Sequence, residues 1–178
     1  MIDTERLILR GWRDEDEIAF ADGTNTEAVM AHLGGVQPLA DFAGLAARQR
    51  RTEAMHGFCF WALERRADAV LLGFCGLDPV DLADMAIAKD VEIGWRLRGD
   101  AWGQGYAREA AEASLAWAWA DTALKRIVAM TVPANRRSWG LMERIGMVRR
   151  PDLDFGHPLF AEGHPLHRHI VYAVERPS

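Results

Sequence analysis

Between residues 4 and 12 apolar and polar positions alternate. Leu7, Leu9 and Gly11 fall on one side and Ile8, Arg10 and Trp12 on the other, which predicts a short strand. The period then changes. Asp14 stands where a cap would open a helix running to about Asp22, and Asp41 where one would open a second helix to about Met55. Phe42, Leu45, Ala46 and Gln49 would fill the early turns of that second helix. After Gly57 the pattern turns strand-like over 58–63, 70–77 and 91–97, with Asp68 and the Asp78-Pro79 pair as turn signals, and reads as an antiparallel meander. A helix is predicted from Tyr106 to about Asp121. Its stripe of Ala107, Ala110, Ala111, Ser114, Leu115 and Ala118 is small enough to lie close against a sheet. A strand over 126–132, a helix over 136–144 closed by Gly146, and a last strand over 169–174 complete the series. Pro and Gly cluster between Pro151 and Pro165 and predict an excursion loop. The sum is an α/β fold with helices on both faces of one sheet.

Composition narrows this picture. The chain has 178 residues, 49% of them hydrophobic and 26% charged, which predicts a single folded domain over 1–178. With 21 Lys plus Arg against 26 Asp plus Glu the net charge is −5, a poor match to nucleic acid or an anionic membrane. The longest apolar run, Ala69 to Leu77, contains two glycines and falls well short of the about 18 residues that span a bilayer. Charges within and around the first apolar stretch are unlike a secretory signal, so a cytoplasmic location is expected. Two cysteines, Cys59 and Cys75, offer no disulfide framework or zinc motif and read as buried thiols. His164, His167 and His169 invite a metal reading, but no acidic partner stands at ligand spacing, and no metal is expected.

The chemically richest segment is Val91-Glu-Ile-Gly-Trp95 followed by Trp102-Gly-Gln-Gly-Tyr-Ala107. A strand, a glycine-rich turn and a helix start bring unpaired main-chain N–H groups and the positive end of a helix dipole to one point, which outlines a phosphate site. Gly103 and Gly105 would let a pyrophosphate approach the main chain, and Arg98 and Arg108 are near enough in sequence to add charge. Neither of two standard nucleotide motifs is present. Arg108 stands where a dinucleotide fingerprint has its third glycine, and Gly-Lys-Ser/Thr occurs nowhere, so NAD and ATP are poorly supported.

Four segments in order resemble the GNAT-type N-acetyltransferases, and among them the RimJ/RimL-like group. They are Thr4-Glu-Arg-Leu-Ile-Leu-Arg10, Val91-Glu-Ile-Gly-Trp95, Trp102-Gly-Gln-Gly-Tyr-Ala-Arg-Glu-Ala110, and Pro133-Ala-Asn-Arg-Arg-Ser138 with Met142-Glu-Arg-Ile-Gly-Met147. The resemblance implies a GNAT-like, mostly antiparallel mixed sheet with helices on both faces, and acetyl-CoA as donor substrate without a metal. One departure is Asp100, where the wider superfamily often has Gln or Arg; its side chain must point away from a pyrophosphate.

By this resemblance the amides of Trp102, Gly103, Gln104, Gly105, Tyr106 and Ala107 hold the CoA pyrophosphate, with Arg98 or Arg108 compensating for Asp100. The strand around Ile93 and Gly94 splays from its neighbour and leaves main chain for the pantetheine and the thioester carbonyl. Asn135 is a helix N-cap by residue type and a CoA contact by resemblance. Many relatives place a tyrosine at the position of Met142 to protonate the leaving thiolate, which a thioether cannot do; the RimL-like resemblance implies Ser138 as the substitute, beside a plain first-turn role bonding its own backbone. Glu92 is the candidate base. A carboxylate acting through a water can take the proton of an α-amine, pKa about 8, or of a lysine, about 10.4. Asp154, His157 and His164 are alternatives at the acceptor side. Of seven tryptophans, Trp95 and Trp102 are the two expected to touch ligand.

These readings combine into an amine acetyltransferase working by direct attack in a ternary complex. The acceptor would be a protein N-terminus or a small-molecule amine, with a cationic acceptor mildly favoured by net charge. A homodimer is compatible with the fold. The rival is a catalytically weak acyl-CoA-binding regulator of the same fold.

Overall fold

In the computed structural model, which describes residues 1–177, the sheet is assembled from two antiparallel halves. The first half runs β1 (Ile2–Asp3), β2 (Leu7–Arg10), β3 (Phe60–Arg65), β4 (Leu71–Pro79) and β5 (Val91–Leu97). The second half holds β6 (Arg126–Thr131), β9 (Arg168–Glu175), β7 (Val148–Arg149) and β8 (Phe155–Gly156), the last pairing only with β9. The halves meet where β5 and β6 run parallel. A parallel pair needs a crossover, supplied here by the helix α4 (Tyr106–Asp121). The other helices are α1 (Asp16–Thr24), α2 (Glu27–Met30), α3 (Leu45–His56) and α5 (Arg136–Arg144), with short 3-10 turns at Leu39–Phe42, Gly99–Ala101 and Pro151–Leu153.

One face of the sheet carries the main core. Ala110, Ala111, Ser114, Leu115 and Ala118 of α4 are buried in one cluster with β3, β4, β5 and β6, joined by Met142 of α5. The small stripe does what its composition predicts. Ser114 donates from Oγ to the Ala110 carbonyl (2.8 Å) and its oxygen lies 3.9 Å from Cys75 Sγ. Both cysteines are unpaired and buried, and burial pushes both thiols up, so they behave as small apolar groups.

The opposite face is covered in two separate patches. Over β2–β4 lie Phe20 and Ala21 of α1 with Phe42, Leu45 and Ala46, packed on Trp12 and Ala62. Over β6 and β9 lie Val80 and Ile87 from the β4–β5 loop and Leu153 from the late excursion. Between the patches β5 carries Glu92, Gly94 and Arg96 on this face, all three partly buried.

Two helix starts differ from expectation. Asp14 is exposed and pairs with Arg50, while α1 begins at Asp16, whose carboxylate is held by Arg10 (2.7 and 2.9 Å) and accepts the Arg13 N–H (2.7 Å). Asp41 sits in a 3-10 turn, and α3 begins after Gly44, which has φ 79°. Its first N–H groups donate to the Glu17 carboxylate of α1, from Gly44 (3.2 Å) and Ala46 (2.9 Å). A cap supplied by another helix leaves no local signature. The predicted spans of β5, α4 and α5 agree with the observed ones. The added strands β1, β7 and β8 are two residues each, too short for periodicity to register.

Candidate active site

The junction between the halves is a wedge. β5 pairs with β4 along its whole length and β6 with β9 along its own, yet β5 and β6 share only Val91↔Ile127 and Glu92↔Val128. Arg98 N–H donates to the Leu72 carbonyl (2.8 Å), so alternation turns the main-chain groups of Glu92, Gly94 and Arg96 toward β4. Those of Trp95 and Leu97 face the opening. Ile93 is buried at its narrow end. Gly94 has its main chain committed to β4; what its missing side chain allows is close approach of the Phe60 ring, since a Cβ would lie 2.9 Å from two ring carbons.

The glycine turn stands at the wide end. Trp102 donates its indole N–H to the Leu97 carbonyl (3.0 Å), which moors the turn on β5. Gly103 (φ 75°) and Gly105 (φ 82°) adopt left-handed conformations, and α4 starts at Gly105 without a side-chain cap. The first-turn amides of this 16-residue helix therefore remain available for an anion. Gln104 is exposed and donates to the Asp100 carbonyl (2.7 Å); Tyr106 is buried; Ala107 is partly buried. Arg6 braces the turn from the opening segment, donating to the Gln104 carbonyl (3.0 Å) and lying over the Tyr106 ring (4.7 Å). Asp100 does point away: it grips Arg98 through two hydrogen bonds (2.6 and 2.9 Å). Arg98 is thereby occupied, and Arg108 pairs with Glu112. The cation at the mouth of the wedge is Arg137 of α5, stacked on Trp102 at 4.7 Å.

On α5, Asn135 caps the helix, accepting the Ser138 N–H at Oδ1 (3.4 Å) and donating from Nδ2 to Thr131 Oγ1 (3.0 Å). Ser138 is partly buried in the first turn and Met142 is fully buried. Tyr172 gives its hydroxyl to Glu143 (3.1 Å) and Tyr106 lies under Arg6.

A cavity of about 300 Å³ lies between β3–β5 and the Leu39–Phe42 turn with α3, lined by Trp12, Gln49, Phe60, Phe74, Asp78 and Arg96 among others. Glu92 lies directly across the ladder from Asp78. Burial, and then the neighbouring Asp78 charge, push the Glu92 carboxyl up to about 8. Asp78 is also raised by burial, against the pull of Gln49 and the Arg48 charge. A carboxyl poised near the pKa of an amine is suited to exchange a proton with one.

The Acetyltransferase (GNAT) domain family model matches residues 6–148. The chain belongs to the GNAT acetyltransferase family. Among its relatives is YkkB of Bacillus subtilis, an uncharacterized protein, 29% identical over 81% of this chain and 83% of that one. Among solved structures, a GNAT-family acetyltransferase from Bacillus anthracis superposes with a TM-score of 0.80 at 25% identity, covering 98% of both chains. A spermidine N-acetyltransferase from Vibrio cholerae, solved with CoA and spermine, shares the fold (TM-score 0.74, 17% identity, 97% of both chains).

Beyond the residues that the GNAT family model matches, the late loop carries little that is free to react. Asp154 is taken by Arg149 (2.5 Å) and by the Val171 N–H (3.1 Å). His169 stacks on Phe155 and His157 lies tilted against both rings, and burial lowers the pKa of each, which favours neutral aromatic packing. His164 stacks on Phe160. No group of three or more ligating side chains is present among the described residues. Sequence reasoning missed Asp78, Arg96 and Arg137. For Arg96 a signal existed, since it shares the alternation of Glu92 and Gly94; for Asp78 the turn reading concealed a strand residue.

Proposed function

We propose that this protein transfers an acetyl group from acetyl-CoA to a primary amine by direct attack in a ternary complex. The observation that carries the reading is the wedge between β5 and β6, with an uncapped helix start at its mouth and a raised carboxyl at its closed end. The amides from Gly103 to Ala107 hold the pyrophosphate, with Arg137 adding charge; the Trp102 N–H, expected among them, is taken by the Gly99 carbonyl (3.2 Å). Main chain of β5 around Ile93 to Trp95 receives the pantetheine and polarises the thioester carbonyl. Asn135 keeps the start of α5 in place beside the donor. Glu92, through a water, takes the ammonium proton. The amine nitrogen then bonds to the acetyl carbon as the carbon–sulfur bond breaks and gives up its second proton to water, while the thiolate takes one proton from solvent, directly or relayed through the Ser138 hydroxyl, which solvent reprotonates. The resemblance of four segments to RimJ/RimL-like proteins favours an N-terminal or other α-amine among the primary amines.

Isothermal titration with acetyl-CoA, CoA, ATP and NAD tests the donor, and thiol release with amine acceptors tests the transfer. Binding of the two CoA species alone, followed by thiol release, is the expected result; absence of CoA binding would sink the reading. Met142 in place of a tyrosine favours the second reading, an acyl-CoA-binding regulator, which predicts CoA binding without thiol release from any amine.

A further inference from the structure

Among the described residues Arg96 has aromatic contacts but no carboxylate and no hydrogen-bond partner. Its Nε is shielded from water and bonds to nothing, and its guanidinium lies between the Phe20 and Phe74 rings (5.6 and 5.8 Å) at the wall of the cavity. The other arginines on this sheet are satisfied: Arg10 by Asp16 and Glu64, Arg65 by Asp68, Arg126 by Asp90, Arg149 by Asp154. Burial, with the Arg48 charge behind it, pulls Arg96 down to about 10 without any carboxylate to offset the loss. A desolvated charge is retained at a cost unless something pairs with it. The cavity supplies room for that partner.

Glu92 and Arg96 are four residues apart on one face of β5, about 13 Å between their Cα atoms. Gly94 between them has no side chain, and the Phe60 ring fills that place, stacked on Phe74 at 4.9 Å. The cavity wall therefore has Asp78, the ladder partner of Glu92, at one end, the Phe60 and Phe74 rings in the middle and Arg96 at the other. We propose that the cavity takes an amine acceptor that also carries a carboxylate, with the amine toward Glu92 and the carboxylate on the Arg96 guanidinium. A guanidinium and a carboxylate match as planar two-point partners. The same charge rejects polyamines, because a second ammonium would meet Arg96 and Arg48. This specificity rests on the acetyltransferase reading and reverses the preference that net charge alone gives.

The test uses matched acceptors in thiol-release assays with saturating acetyl-CoA: glycyl-phenylalanine against its C-terminal amide, 6-aminohexanoate against hexylamine, and spermidine. The expected result is at least a tenfold higher kcat/KM for one acid over its uncharged partner, with spermidine poorest. Arg96→Gln abolishes that ratio through KM, and Arg96→Lys restores part of it. Equal use of acid and uncharged partner, or a ratio unchanged in Arg96→Gln, overturns the proposal while leaving the acetyltransferase intact. If no amine is turned over, the acetyltransferase reading fails. Titration of the CoA-saturated protein with glycyl-phenylalanine and its amide then decides separately: binding of the acid alone, lost in Arg96→Gln, upholds the carboxylate site, and no difference overturns it. Arg96→Met guards against a folding artefact, since it is expected to melt no lower than the parent protein; a clear loss of melting temperature would make Arg96 structural and overturn the proposal.

Discussion

Two arginines under the same helix α1 have opposite fates. Arg10 is 6% exposed and held by two carboxylates, Asp16 and Glu64, each at 2.7 Å. Arg96 reaches toward Phe20 of that helix from β5 with no carboxylate against it. The first region fixes where α1 starts and ties it to β2 and β3. The second spends stability on an unmet charge at the rim of a cavity. Natural chains tolerate that where a ligand completes the site, so the difference separates scaffold from binding surface.

Breaking the scaffold side should have the largest effect. Arg10→Met takes the shared guanidinium from two buried carboxylates, leaving Asp16 the Arg13 N–H and Glu64 a 3.6 Å contact with Arg13, and should cost about 3–5 kcal/mol in denaturant unfolding. Next in size is Glu92→Gln, expected to lower turnover about 10²- to 10³-fold with acetyl-CoA affinity unchanged. The parent enzyme's rate should rise as pH passes about 8, where Glu92 becomes a carboxylate. Stability moves the other way. A carboxyl raised on folding contributes stability that is full below its unfolded pKa and is lost as pH rises through about 8, so Glu92→Gln should unfold later than the parent at pH 9. Gly94→Ala pushes a Cβ to 2.9 Å from the Phe60 ring; calorimetry should find a loss of about 1–3 kcal/mol from overpacking. Smallest is Arg96→Met, neutral or stabilising by about 1 kcal/mol. The contrast collapses if Arg96→Met proves as damaging as Arg10→Met.

Legibility in the sequence followed the range of the causes. The starts of α4 and α5 could be read because Gly105 and Asn135 act on their own helices. The starts of α1 and α3 could not, because Arg10 and Glu17 set them from other elements. Glu92 was legible as a polar residue on a central strand. Its neighbour Asp78 became visible only through the β4–β5 register, and the cavity only through α3 lying over Asp78 and Arg96. Asp100 looked like an intrusion in a phosphate turn until Arg98, two residues before it, was seen to fold back on it.

The parting of β5 from β6 gives this sheet an edge in its own interior. An outer edge strand is protected by length, charge or cover; here the unpaired amide of Trp95 is sheltered from other chains by the second half of the sheet. Without a guest it should trade its hydrogen for solvent deuterium far sooner than Glu92, two hydrogen-bonded ladders deep. A molecule threaded into the wedge would act as a surrogate strand, and slowed exchange at that single amide would report its arrival before any bond is made or broken.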